Sequence, residues 1–185
     1  MPDTFLLDTI GSTPLVKLQH LSPRKEIEIL VKLEFMNPGF SIKDRIVRHI
    51  IAEAEKNGEL KPGGTIVENT SGNTGAATAM IGALKGYRVI LTMPDKVSEE
   101  KQNSLKAYGA EVRVYPTSAT PGSDDHYVQA ARNLAAELNA FMLNQYDNKK
   151  NPEAHYQSTG PEIWEQSGGN VDYFVASGST GGTVS

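Results

Sequence analysis

The stretch Thr65–Gly86, which reads TIVENTSGNTGAATAMIGALKG, decides the fold because a strand, a glycine turn and a helix follow one another within it. The β-branched run Thr65–Glu68 predicts a strand. The small, apolar segment Thr74–Lys85 predicts a helix, and Gly86 is a natural C-terminal stop for it. Polar residues and glycines fill the turn between strand and helix, so this turn is also a candidate for ligand binding.

The same order of elements repeats on both sides of this stretch. Further strands are predicted at Ile27–Leu33, Arg88–Met93, Glu111–Tyr115, Phe141–Leu143 and Val171–Ala176. Further helices are predicted at Arg45–Asn57, Glu99–Tyr108, Asp125–Leu138 and Pro152–Gln166. We expect the last helix to be interrupted at Gly160-Pro161. Strands that alternate with helices of this length predict an α/β fold with a mostly parallel sheet and flanking helices.

The last predicted strand is followed by a glycine loop, Ser177–Thr183, of the kind that normally opens a helix. A parallel sheet that ended on this loop would leave an apolar strand edge uncovered. We therefore expect the chain to be the N-terminal part of a longer fold, with the C-terminal half missing.

Composition excludes several classes of function. The chain has 185 residues and no cysteine, so disulfides, thiolate nucleophiles and cysteine-ligated metals are ruled out. A net charge of -4 gives no electrostatic reason to expect nucleic acid or a membrane as a partner. The four histidines show no metal-ligand spacing, so no metal is expected, and Trp164 is expected to pack in the core. The composition favours a cytoplasmic protein.

Lys43 is the first candidate functional residue. It lies in the turn Asn37–Arg45 (NPGFSIKDR), which leads into a strongly patterned helix. The positive end of a helix dipole disfavours a charged lysine and so favours its action as a nucleophile. The alternative is an ordinary solvated lysine beside Asp44.

Two glycine loops that follow strands are candidate anion sites. The loop Thr70–Gly75 combines hydroxyls and an amide with the free N–H groups of a helix start, which suits a carboxylate or a phosphate. The loop Ser177–Thr183 has the same character and suits a phosphate. A capped turn and a flexible linker are the alternatives. Neither G-x-G-x-x-G nor a P-loop lysine is present, so NAD and ATP are not favoured.

Five motifs occur in a fixed order along essentially the whole chain. They are Ile10–Val16 (IGSTPLV), Ser41–Arg45 (SIKDR), Thr70–Gly75 (TSGNTG), Gly160–Ile163 (GPEI) and Thr180–Thr183 (TGGT). This order closely resembles the cysteine synthase and cystathionine β-synthase family of fold-type II pyridoxal-phosphate (PLP) enzymes. One departure is Ser179, where the family usually has glycine.

The resemblance implies pyridoxal 5'-phosphate as the cofactor, with Lys43 forming the internal Schiff base and acting as the catalytic base. It implies that Asn73 binds the ring hydroxyl of the cofactor. The loop residues that it implies for the cofactor phosphate are Ser179, Thr180, Gly181, Gly182 and Thr183. The residues that it implies for the substrate carboxylate are Thr70, Ser71, Gly72, Thr74 and Gln145.

The resemblance also implies a two-domain architecture and a reaction. Residues 45–147 would form a small substrate-closing α/β domain, and residues 1–44 and 148–185 an incomplete part of the large PLP-binding domain of a homodimer. The reaction would be β-replacement on O-acetylserine or serine with sulfide or a thiol, giving cysteine or cystathionine.

The sequence leaves the branch of the family and the activity open. Tyr115–Tyr127 is more similar to the cystathionine β-synthase branch, and Gly160–Trp164 to the cysteine synthase branch, so the branch is undecided. The sequence is also compatible with a non-thiol nucleophile, with a catalytically silent PLP-binding regulatory relative and with a PLP-independent nucleotide-binding protein.

Overall fold

A four-stranded parallel sheet with helices on both faces forms the centre of the structure, a computed structural model that describes residues 5–185. The strands are β1 Leu15–Lys17, β2 Leu30–Lys32, β3 Thr65–Asn69, β4 Arg88–Pro94, β5 Glu111–Tyr115 and β6 Phe141–Met142. The helices are α1 Lys43–Lys56, α2 Asn73–Lys85, α3 Glu99–Ala107, α4 Tyr127–Glu137, α5 Lys150–Ala154 and α6 Gly160–Gln166. The α/β class with a parallel sheet and flanking helices is therefore confirmed.

The order of the strands, β5-β4-β3-β6, places the first strand of the large sheet in its interior. From β3 the chain proceeds outward to β4 and β5, and it then returns to the opposite side of β3 as β6, where Ile66 pairs with Phe141. The direction of winding therefore changes between β3 and β6. In open α/β sheets, ligands bind beyond the carboxyl ends of the strands at such a switch point. The smaller sheet is the antiparallel pair of β1 and β2.

Both faces of the four-stranded sheet are covered by helices. On one face Leu91 of β4 packs with Leu105 of α3, and on the other face Ile90 packs with Leu134 of α4. Because β4 is buried on both sides, its sequence is almost continuously apolar rather than alternating. A third cluster joins α1, α2 and the segment after β6 into one core.

Most of the predicted elements are confirmed, with ends that differ by a few residues. The helix in the opening stretch ends at Gly86, whose φ of 75° is left-handed, as a glycine stop requires. The strand expected at Ile27–Leu33 is shorter, because only β2 within it is paired. None of the helices in residues 5–185 is both long and apolar enough to span a membrane.

The prediction of a strand at Val171–Ala176 is wrong. This segment pairs with no strand in the described part of the chain, and Tyr173 and Val175 are 91% and 92% exposed. A strand needs a neighbour to complete its backbone hydrogen bonds. An apolar, β-branched pattern is therefore not sufficient to form a strand at this position.

The last helical region also differs from expectation. A π-helical turn, His155–Thr159, joins α5 directly to α6, so the chain stays helical through Gly160-Pro161. Pro161 is the second residue of α6 and directly follows the π-helical turn and Gly160. The expectation that Trp164 packs in the core is wrong, because this residue is 61% exposed.

Candidate active site

The loop Thr70–Gly75 leaves the carboxyl end of β3 and enters α2 beside the switch point of the sheet. Thr70 and Thr74 are buried, Ser71 is half-buried, and Gly72 and Asn73 are exposed. The Thr74 hydroxyl donates a hydrogen bond to the side-chain oxygen of Gln145, which follows β6. The structure thus brings together two of the residues predicted to bind a carboxylate, although they lie 71 residues apart.

Glu68, a residue that the sequence analysis missed, holds Gln145 in place. Its fully buried carboxylate accepts the Asn144 N–H at 2.7 Å and the Gln145 N–H at 3.4 Å. Burial raises the pKa of Glu68 to about 7, against the lowering effect of these two hydrogen bonds. The signal in the sequence is a lone acidic residue inside the otherwise uncharged strand TIVEN.

Replacing Glu68 by glutamine is expected to remove part of the pH dependence of stability. The folded-state pKa of about 7 lies above the ordinary value of 4.5, so folding favours the protonated carboxyl. The wild type should therefore lose stability relative to Glu68→Gln, by up to about 3 kcal/mol, as the pH rises through this interval. Urea unfolding at about pH 5 and about pH 8 measures the difference.

Glu111→Gln provides the control of opposite sign. Hydrogen bonds from Arg88 and Arg113 lower the pKa of Glu111, so the wild type should gain stability relative to this variant as the pH rises towards 4.5 and show no further change between about pH 5 and about pH 8. An unchanged difference between wild type and Glu68→Gln at the two pH values would contradict the role of Glu68.

Lys43 is the first residue of α1, and its backbone N–H donates to the Ser41 hydroxyl oxygen at 3.2 Å. Burial lowers the pKa of Lys43, which increases the fraction of neutral amine. Asp44 is fully buried and accepts the Gly39 N–H at 2.5 Å, while burial raises its pKa to about 6. This hydrogen bond ties the turn before α1 to the helix that carries Lys43.

The predicted phosphate loop is fixed against α5. Gly181 has a left-handed φ of 83°, and Gly182 is buried so closely against Asn151 that a Cβ would overlap its side chain. The Asn151 amide donates to the Thr180 hydroxyl oxygen at 2.9 Å and to the Gln145 carbonyl oxygen at 3.0 Å. Ser179, by contrast, is exposed. Glycine is therefore required at two loop positions, one for its conformation and one for its size.

His155 lies in the π-helical turn, which packs against α1, and its ring contacts the phosphate loop. Its Nδ1 is 2.9 Å from the Thr159 hydroxyl, and its Nε2 is 3.4 Å from the hydroxyl of Thr183. Burial lowers the pKa of His155 to about 4, and the nearby positive charges of Lys43 and Arg45 lower it as well. The imidazole is therefore neutral at pH 7, and Lys43 and Thr183 both lie near it.

The polar residues of α5 and the π-helical turn that make these contacts have a regular spacing in the sequence. Asn151, His155 and Thr159 are four residues apart and all buried, so they form one polar row on a helical face. This spacing could have been found without a structure. Within residues 5–185, no group of histidines and acidic residues could hold a metal ion.

A buried ion network surrounds Arg45, two residues after Lys43. Its guanidinium contacts Glu162 at 2.6 and 2.7 Å and Glu34 at 2.7 and 2.8 Å, and Lys32 approaches Glu162 at 2.8 Å. Burial alone would raise the pKa of Glu162, but hydrogen bonds from Arg45 and Lys32 lower it to about 2. The network joins the start of α1 to α6 and to the turn that follows β2.

The structure thus places three predicted groups around one edge of the sheet. Thr74 and Gln145 contact each other, Asn151 joins Gln145 to Thr180, and the helix that Lys43 begins packs against the π-helical turn that contains His155. Ser71, Gly72 and Asn73 lie at the more open start of α2. Together these groups offer hydroxyl and amide donors for anions beside an amine with a lowered pKa.

The family comparison agrees with this geometry. A family model described as "Pyridoxal-phosphate dependent enzyme" matches residues 6–185, and the chain belongs to this family. The relationship inferred from the five motifs is thereby confirmed at the level of the family.

The chain is also similar to individual proteins, including two curated relatives and one solved structure. The chain is 48% identical over 183 residues to cysteine synthase B of Escherichia coli (strain K12), covering 97% of this chain and 58% of that relative. It is also 48% identical over 188 residues to cystathionine beta-synthase of Apis mellifera, covering 100% of this chain and 37% of that relative. The crystal structure of O-ureido-L-serine synthase superposes with a TM-score of 0.89 at 40% identity, covering 97% of this chain and 56% of that one. The chain therefore spans little more than half the length of its bacterial relative.

Proposed function

We propose that the full-length protein catalyses pyridoxal-phosphate-dependent β-replacement on a serine-type amino acid. The observation that carries this proposal is that the Thr74–Gln145 pair, at the switch point of the sheet, is joined through Asn151 to the Thr180–Thr183 loop. The names of the curated relatives favour cysteine or cystathionine as the product. We propose O-acetylserine or serine as the substrate and sulfide or a thiol as the nucleophile.

The residues present fit pyridoxal phosphate. The left-handed turn at Gly181 and the close packing of Gly182 on Asn151 shape the loop that would hold the phosphate, and Lys43 offers an amine with a lowered pKa for covalent attachment. We assign the phosphate to the loop residues 179–183 and the ring hydroxyl to Asn73. When bound, the cofactor supplies an electron sink for the negative charge that develops on the substrate.

The side chains of the chain itself bind the substrate and move its proton. Thr70, Ser71 and the Gln145 side-chain amide would donate hydrogen bonds to the substrate carboxylate together with the N–H groups at the start of α2. Thr74 would join them when its hydroxyl turns from Gln145 towards the substrate. The Lys43 amine, once free, would take the proton from the substrate Cα and return it after the nucleophile has added. We further propose that residues 45–147 close on the substrate and exclude water, within a cytoplasmic homodimer.

A non-thiol nucleophile is the second candidate. The solved relative O-ureido-L-serine synthase is named for a serine that carries an oxygen-linked ureido group. The similarity to this protein covers 97% of the chain, and so does the similarity to cysteine synthase B. Both comparisons therefore concern the same residues.

An absorbance titration tests the proposed function. The full-length protein, saturated with pyridoxal phosphate, should show the visible band of a lysine-linked pyridoxal group, and O-acetylserine or serine should change it. Mass spectrometry after addition of sulfide, a thiol or hydroxyurea identifies the product and hence the nucleophile. A visible band without turnover would indicate a silent regulatory relative, and the absence of any band would refute the proposal.

Replacing Ser71 by alanine is expected to weaken substrate binding without loss of the cofactor. One hydrogen bond to a charged partner is worth about 1.5–3 kcal/mol, which is roughly a tenfold to hundredfold change in affinity. Titration with O-acetylserine, followed by absorbance, measures the change. Ser98→Ala is the matched control, because Ser98 also precedes a helix but lies at the start of α3. Equal affinities in wild type and Ser71→Ala would contradict the assignment.

A further inference from the structure

Asn151 joins the two binding loops. This residue, the second of α5, is 2% exposed. Its amide nitrogen donates one hydrogen bond to the Gln145 carbonyl oxygen at 3.0 Å and one to the Thr180 hydroxyl oxygen at 2.9 Å. Both hydrogens of the amide are thereby used, one on each loop.

The orientation of this amide follows from its partners. The carbonyl of Gln145 can only accept, so the nitrogen of Asn151 must face it. The oxygen of Asn151 is buried without a hydrogen-bond partner in the described part of the chain, and it packs against Gly182. Because Thr180 accepts from Asn151, its own hydroxyl hydrogen remains to be donated to a ligand.

Further hydrogen bonds of Gln145 connect Asn151 to the residues that we propose for substrate binding. The N–H of Gln145 donates to Glu68, and its side-chain oxygen accepts from Thr74. One chain of hydrogen bonds therefore runs from Thr74 through Gln145 and Asn151 to Thr180. Networks of this kind fix the relative positions of their members more firmly than separate pairs do.

A purely structural role at the helix start is already filled by another residue. Asn148 accepts the Lys150 N–H at 3.0 Å and donates to the Leu143 carbonyl oxygen at 2.9 Å, and so it caps the first turn of α5. Asn151 makes neither of these contacts. Its hydrogen bonds are directed to the two loops instead.

We propose that Asn151 is a positioning residue that holds the Ser179–Thr183 loop in fixed register with Thr74 and Gln145. The cofactor phosphate and the substrate carboxylate are thereby bound on one hydrogen-bonded frame. This inference rests on the function proposed above and adds a residue outside the set assigned to cofactor or substrate.

The first experiment compares two ligands that differ only in the phosphate. In the full-length apoprotein, Asn151→Ala should weaken pyridoxal phosphate by about tenfold, since two hydrogen bonds that hold the loop are lost. Pyridoxal, which has no phosphate, should bind both proteins with nearly equal affinity. A general structural defect would weaken both ligands alike, and that result would overturn the proposal. Asn148→Ala is the matched control and should leave the ratio of the two affinities unchanged.

Two further variants sharpen the comparison. Asn151→Asp keeps the size of the side chain but loses the donor and adds a negative charge beside the phosphate loop, so it should weaken pyridoxal phosphate more than alanine does. The double variant Asn151→Ala/Thr180→Val should weaken binding by less than the two single effects combined, because both changes remove the same hydrogen bond. Additive effects would contradict the contact.

A measurement without cofactor separates this inference from the proposed function. Amide hydrogen exchange of residues 180–184 in the apoprotein should be faster in Asn151→Ala than in wild type or Asn148→Ala. Unchanged exchange would overturn the role of Asn151 even in an active enzyme. Faster exchange in a protein that binds no pyridoxal phosphate would support the loop contact and refute the proposed function alone.

Discussion

Replacing Lys43 by alanine is expected to abolish covalent attachment of the cofactor and to lower turnover by at least about a thousandfold. Lys43 begins α1, and burial lowers its pKa, so this amine is suited both to bond formation and to proton transfer. The visible band of the full-length protein with pyridoxal phosphate measures the attachment. Product formation from O-acetylserine or serine measures turnover.

Lys56→Ala is the matched control for this change. Lys56 ends the same helix, and its side chain is 74% exposed, so its loss should affect neither the band nor turnover. Borohydride reduction followed by peptide mapping identifies the labelled lysine. A lysine-linked band that persists in Lys43→Ala would show that another residue carries the cofactor.

Replacing Arg45 by alanine is expected to lower the free energy of unfolding by about 3–5 kcal/mol. The Arg45 side chain is 2% exposed, and its removal leaves the carboxylates of Glu34 and Glu162 without their principal partner. Removing one partner of a buried ion pair is costly because the remaining charge is poorly solvated. Urea unfolding at about pH 7 measures the loss.

The control and the pH dependence make this prediction specific. Arg113→Ala removes a partly exposed pair with Glu111 and should cost less than about 1 kcal/mol. The pKa of Glu162 is lowered from 4.5 to about 2, so its contribution is present above pH 4.5 and is lost as the pH falls through this interval. A loss in Arg45→Ala no larger than in Arg113→Ala would contradict the network.

The central sheet unit could be predicted because its signals are local. In Thr65–Gly86 the strand pattern, the polar turn and the helix stop are contiguous, and the observed β3 and α2 differ from the prediction by one residue at one end of each. Lys43 could be placed at a helix start for the same reason. Such features depend on neighbours within one turn or one strand.

The partners of the residues that support the site could not be predicted in this way. Glu68, Asn151 and Glu162 act on partners that lie 76, 29 and 117 residues away, and no local pattern specifies such a pairing. The strand expected at Val171–Ala176 failed for a related reason. Strand formation depends on a neighbouring strand as much as on β propensity.

The pairing of β3 with β6 has a consequence for how tightly a ligand can be held. Thr74 and Gln145 are carried by segments that leave these two strands, and Ile66↔Phe141 and Val67↔Met142 fix the strands to one backbone ladder. Ordering a mobile side chain on binding costs about 0.5–1.5 kcal/mol of conformational entropy. Here that entropy is lost when the sheet folds. The register of the two strands would thus favour affinity for the carboxylate that we propose to bind at Thr74 and Gln145.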